Sequence, residues 1–175
     1  TPCYIYSHRT LIRHFHAFDD AFHDTPHLIA YAMKANSNIA VLKLLAKEGS
    51  GADIVSGGEL FRALKAGVPS DKIVFAGVGK SPKEIRYALE SNILMFNVES
   101  PGELLQIDEV ARTMNVRARV ALRINPDIDP QTHPYISTGL KKSKFGIASD
   151  QALKEFELAG QLANIDVIGV HCHIG

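Results

Sequence analysis

Short apolar runs recur about every 20 to 25 residues along this 175-residue chain, and an amphipathic stretch follows most of them. The strand candidates are residues 27–34, 52–56, 72–77, 93–98, 117–125 and 166–174, rich in Val, Ile and aromatic side chains. The helix candidates lie at residues 8–23, 37–48, 58–67, 82–91, 101–114 and 150–163. Their apolar residues fall at helical spacing, as Leu11, Ile12, Phe15, Phe18 and Phe22 do in the first. Local punctuation agrees. Gly67 is placed to end one helix, Ser81-Pro82 to start another, and Ser100 with Glu103 forms a capping-box pattern.

Strand, helix, strand, helix with short connections means βα units and a parallel sheet. A doubly wound open sheet and a (β/α)8 barrel of the TIM type both fit. No G-x-G-x-x-G follows the first strand, which weakens a dinucleotide-binding reading. The even repeat favours the α/β barrel. A full barrel takes about 250 residues, so six strands here are expected to be an incomplete piece of a longer chain. Residues 125–149 form one long connection, in which Pro126, Pro130, Pro134 and Gly139 exclude regular structure through the first half.

Composition excludes some functions. Lys+Arg and Asp+Glu both number 19, so the net charge is zero and gives no electrostatic reason for nucleic acid or an anionic membrane as partner. No apolar run approaches the roughly 20 residues that span a bilayer. Two distant cysteines, Cys3 and Cys172, make no disulfide framework, and a cytoplasmic setting is expected.

In a barrel the chemistry sits at the C-terminal ends of the strands. Those ends carry Lys34 and Asn36, Asp53 and Ser56, Gly77 to Lys80, Asn97 and Glu99, Arg123 and Asn125, and His171 and His173. Lys34 closes the run LIAYAMK. Apolar surroundings lower a lysine pKa, and a neutral amine forms an imine with a carbonyl. A lysine that closes a strand and snorkels to water is the plainer alternative. His171 and His173 alternate, so on a strand they share one face. They can be two metal ligands, a ring packed on a ligand with a supporting partner, or two satisfied core histidines. Arg123 lies within an apolar strand and should meet an anion. Asp53 is a similar buried charge. Gly57-Gly58 can present backbone N–H groups at a helix start, and Ser137, Thr138, Lys141, Lys142 and Lys144 populate the long segment.

YAMKAN with Lys34, ADIVSGGEL, LRINPDIDPQTHPYISTGLKKSKFGI and GVHCHIG together resemble the fold-type III pyridoxal-phosphate (PLP) decarboxylases, relatives of the alanine racemase barrel. YAMKAN is shared across the group. SGGEL, HPYISTG and HCHIG point to its diaminopimelate branch. The resemblance implies decarboxylation of meso-2,6-diaminopimelate to L-lysine and CO2, with ornithine, arginine or carboxynorspermidine as rival substrates. It implies that Lys34 carries the cofactor and that His173 stacks on the pyridine ring. Asp53 and Arg123 then lie beside the cofactor, Glu59 is the acid of SGGEL, and Lys144 falls near a subunit interface. No metal is implied. Residues 1–175 would be the cofactor-binding barrel, truncated, with a C-terminal β domain outside this chain. A homodimer with shared active sites and a small amino-acid substrate are also implied. Remoter alternatives are a non-catalytic PLP-binding barrel and a metal-dependent barrel hydrolase.

Overall fold

The computed structural model describes residues 1–128 and 145–173. The chain divides into two compact units, Thr1–Val74 and Phe75–Gly175.

The first unit runs α1 (His8–Asp20), β1 (Ala30–Ala32), α2 (Ile39–Lys47), β2 (Gly51–Ile54) and α3 (Gly57–Ala66), then a 3-10 turn at Ser70–Lys72. β1 and β2 pair in parallel, Ala32 opposite Asp53. Gly51 opens β2 where no other residue fits, because a Cβ there would lie 2.3 Å from the Lys72 carbonyl oxygen. Gly67 ends α3 at φ 90°, a left-handed backbone that glycine adopts without strain. Helix α1 stops three residues short of the expected 23, and none of its residues is buried. Its apolar face borders an open groove of about 620 Å³ lined by Leu11, Phe15, Phe18, Ile29, Tyr31 and Leu45.

β3 (Ile73–Phe75) crosses the unit boundary. The second unit continues with α4 (Pro82–Glu90), β4 (Met95–Val98), α5 (Pro101–Met114), β5 (Ala118–Asn125), β6 (Ile147–Ala148), α6 (Ala152–Gln161) and β7 (Ile165–His171). β5 is its central strand. It pairs in parallel with β4 through Val120–Leu122 and with β7 through Ala118–Arg123. The short β6 continues the pairing at Ile124 and Asn125, so the long connection regains regular structure at its end. Leu122, Val120, Val98, Ile107 and Leu104 are at most 1% exposed and form the core on one face of this sheet.

The helix starts show how sequence sets the geometry. Ser81 caps α4 with a complete box: its hydroxyl accepts the Glu84 N–H, and the Glu84 carboxylate accepts the Ser81 N–H. Replacing it, Ser81→Ala, should cost about 1 kcal/mol, measurable as a lowered denaturant midpoint. At α5 the expected box forms by half. The Ser100 hydroxyl accepts the Glu103 N–H at 3.3 Å, but the Glu103 carboxylate reaches one residue further back, to the Glu99 N–H at 2.8 Å. The start of α3 repeats this arrangement, with Ser56 accepting the Glu59 N–H and Glu59 accepting the Val55 N–H. Thus S-G-G-E-L and S-P-G-E-L build the same turn from strand to helix.

Candidate active site

Strand pairing brings the polar residues of the second unit together. Val98 lies opposite Leu122, which carries Glu99, one residue on, alongside Arg123; Arg123 in turn lies opposite His171. The Arg123 guanidinium gives Nη1 to both oxygens of the Glu99 carboxylate, each at 2.8 Å. Their side chains are 10% and 3% exposed. One Glu99 oxygen also accepts the Gly77 N–H at 3.2 Å. The guanidinium carbon stands 5.7 Å from the centre of the Phe145 ring, in cation–π contact. Its Nε and Nη2 are not engaged in hydrogen bonds among the described residues.

A second buried cation stands beside this pair. Lys80 Nζ donates to the Gly77 carbonyl at 2.7 Å, the Asn97 carbonyl at 2.9 Å and the Glu103 carboxylate at 2.5 Å. The Lys80 side chain is fully enclosed, and its ammonium lies 5.5 Å over the Phe75 ring. Burial pushes the Glu103 carboxyl up from the ordinary carboxylate range, an effect the Lys80 ammonium opposes. The Oδ1 of Asn97 is buried and has no hydrogen-bond partner among the described residues.

His171 ends β7. Its Nδ1 is buried and has no partner among the described residues. Burial pushes the imidazole pKa down to about 4, and the Arg123 charge adds to the effect. The imidazole is therefore neutral at physiological pH. Between about pH 6.5 and 4 the unfolded chain binds a proton that the folded chain does not, so stability falls as pH drops through that window. Above it the group is neutral in both states and contributes no slope. The denaturation midpoint of the apoprotein should therefore fall more steeply with acid than that of the His171→Asn variant.

The strand ends at His171, so the alternation expected to put His173 on the same face stops short of it. His173 is half-buried and Cys172 between them is exposed. Among the described residues, no three His, Cys, Asp or Glu side chains gather as a metal site.

The first unit holds the other two expected site residues. Asp53 is half-buried on β2, and its carbonyl accepts the Met33 N–H at 3.0 Å. Lys34 follows β1 on a turn, one residue after the buried Met33. It is exposed in this chain, on a turn that follows the end of β1 at Ala32. Lys144 and the loop residues Ser137, Thr138, Lys141 and Lys142 lie outside the described residues.

Taken separately in each unit, these groups suit a pyridoxal cofactor. An accessible primary amine at a strand end suits an aldehyde. A guanidinium with unengaged donors and a buried, unpartnered imidazole nitrogen suit anionic and phenolic oxygens. Comparison with known proteins decides the matter, because the pyridoxal-binding domain of the pyridoxal-dependent decarboxylases matches residues 8–175. The chain belongs to that family. Among the decarboxylases, the diaminopimelate decarboxylase of Vibrio cholerae is 56% identical over 175 residues, covering this whole chain and 42% of the relative. That of Aquifex aeolicus is 54% identical, with 41% of its length covered. The crystal structure of diaminopimelate decarboxylase from Helicobacter pylori complexed with L-lysine superposes with a TM-score of 0.97 at 50% identity, covering all of this chain and 44% of that one. The Paramecium bursaria Chlorella virus arginine decarboxylase bound to agmatine follows at 26% identity and TM-score 0.77, with 95% and 42% covered. The chain thus has the alanine racemase-like α/β barrel fold of these decarboxylases and spans about two fifths of their length. No helix among the described residues is long and apolar enough to cross a membrane.

Arg123, expected to meet either a carboxylate or a ligand oxygen, meets the carboxylate of Glu99. Glu99, Lys80, Glu103 and Asn97 went unassigned to the site. The one available signal was the row of strand-end polar groups, which contains Glu99, Lys80 and Asn97.

Proposed function

We propose that the protein containing this chain decarboxylates meso-2,6-diaminopimelate to L-lysine and CO2, with PLP as cofactor. The observation that carries this reading is the match, over the entire chain at 50% identity, to a diaminopimelate decarboxylase complexed with L-lysine. The arginine decarboxylase is a more distant match at 26%, which favours diaminopimelate over arginine.

Bound PLP supplies an electron sink for the pair left behind when CO2 departs. The chain's own residues do the rest. Lys34 Nζ would hold the cofactor through its aldehyde carbon, on an exposed turn that a substrate amine can reach. His173 holds the pyridine ring by stacking. Arg123, kept in place by Glu99, offers its unengaged N–H groups to anionic oxygen. Asp53 orients its neighbours from β2. Residues 1–175 are the cofactor-binding barrel domain, and a C-terminal β domain completes the protein. The protein works in the cytoplasm as a homodimer with shared active sites, without nucleic-acid or membrane partners.

The test uses the intact protein. CO2 release is measured with diaminopimelate, ornithine, arginine and carboxynorspermidine, and sedimentation gives the oligomeric state. Diaminopimelate should be the preferred substrate. Faster release from any of the other three overturns the substrate assignment.

A further inference from the structure

The resemblance assigns no task to His171, whose Nδ1 is buried at this rim. His171 lies opposite Arg123 in the β5–β7 pairing, so the two side chains leave the sheet on the same face. Its Nδ1 is shut off from solvent and meets no hydrogen-bond partner among the described residues. A buried polar atom left unmet is destabilising, and an imidazole is the wrong choice for a wall where nothing binds.

We propose that His171 is a further ligand-contacting residue of this site, its Nδ1–H donating to an anionic or phenolic oxygen of the bound cofactor or substrate. The inference rests on the PLP decarboxylase reading above and adds a residue to it.

The groups facing His171 define the chemistry. Arg123 on β5 is a cation with Nε and Nη2 unengaged among the described residues, while Glu99 after β4 already takes its Nη1. Lys80, after β3, is spent on Glu103 and two carbonyls. His173 follows on the same segment. A second cation at His171 would be repelled by Arg123 and Lys80, and an oxygen anion is what Arg123 leaves room for. A neutral imidazole serves here better than a charged one. It donates one hydrogen bond beside the guanidinium without adding like charge. The tautomer with hydrogen on Nδ1 is the one that meets such an oxygen. Two sources carry this oxygen: the cofactor ring, whose hydroxyl ionises, and the amino-acid carboxylate.

Three variants of the intact protein separate the outcomes. His171→Asn keeps a donor near the place of Nδ1, His171→Gln moves its amide to the place of Nε2, and His171→Phe keeps a ring with no donor. PLP affinity is measured by titrating each apoprotein without substrate and following the visible absorbance. KM for diaminopimelate is measured separately. His171→Gln and His171→Phe should weaken one of the two by about ten- to hundredfold, the scale of a hydrogen bond to a charged group, while His171→Asn stays close to wild type. Loss in PLP affinity identifies the cofactor oxygen. Loss in KM with PLP affinity intact identifies the substrate carboxylate. If His171→Phe does not fold, the Asn and Gln variants decide between them. Wild-type affinity and KM in both Gln and Phe variants overturn the proposal, as does retention by Gln with loss in Asn. A wild-type protein that shows neither cofactor absorbance nor CO2 release defeats the underlying decarboxylase reading instead.

Discussion

The intact Lys34→Ala protein should fold and melt like its wild-type apoprotein, yet retain no cofactor after borohydride reduction. Lys34 sits exposed on a turn beyond β1, so its loss removes little packing. Surface substitutions of this kind usually change stability by about 0.5 kcal/mol or less. The chemical loss is of another size. On the proposed reading the same amine attaches the cofactor, and removing a catalytic side chain of this kind costs about 10²- to 10⁴-fold in rate. CO2 release should therefore fall at least that far while the melting curve stays in place. Peptide mapping after reduction reads the attachment site directly. A reduced cofactor found on any other lysine in the wild-type protein sinks the assignment of Lys34.

Glu99→Ala should have the opposite profile, a large loss of stability. It leaves the Arg123 guanidinium 10% exposed and without its counter-charge. Breaking a buried pair from one side costs about 3–5 kcal/mol, a large share of the roughly 5–15 kcal/mol that holds a domain folded. Replacing both partners by apolar groups of similar volume, as in E99L/R123M, should recover most of that loss, because no charge is then stranded. Arg112 and Glu109 make the control. Their side chains are 62% and 60% exposed, and breaking an exposed pair costs about 1 kcal/mol or less. Equal denaturant midpoints for Glu99→Ala and Arg112→Ala would show that the Arg123–Glu99 pair is not buried in solution.

The element order was legible in the sequence because the longer strands are apolar runs and α3, α4 and α5 carry their own start or stop signals. Ser81-Pro82 and Gly67 mark their ends as expected. Boundaries slipped where tertiary pairing decides them. Residues 27–34 read as one strand, but only Ala30–Ala32 pair with β2, and Lys34 lies on the turn that follows. Periodicity gives no depth, so the enclosure expected around Lys34 could not be checked from spacing. The rim itself was visible as polar residues closing apolar runs. Its wiring was not, since joining Glu99 to Arg123 requires the register between β4 and β5. The two-residue β6 carries too little pattern to be seen at all. Likewise the capping pattern at Ser100 was recognised, while the reach of Glu103 to the amide before it depends on how β4 enters α5.

The enclosure of Arg123, Glu99, Lys80 and Glu103 has a consequence for how the protein meets changes in ionic strength. Mobile ions screen charges that they can surround, over about 10 Å at 0.1 M salt. The pair Arg112–Glu109 lies in their reach. The rim pairs have side chains at most 10% exposed, so counter-ions cannot enter between them. Rising salt should thus loosen the surface contacts first and leave the rim wired as it is. The rim charges are insulated from the surrounding medium.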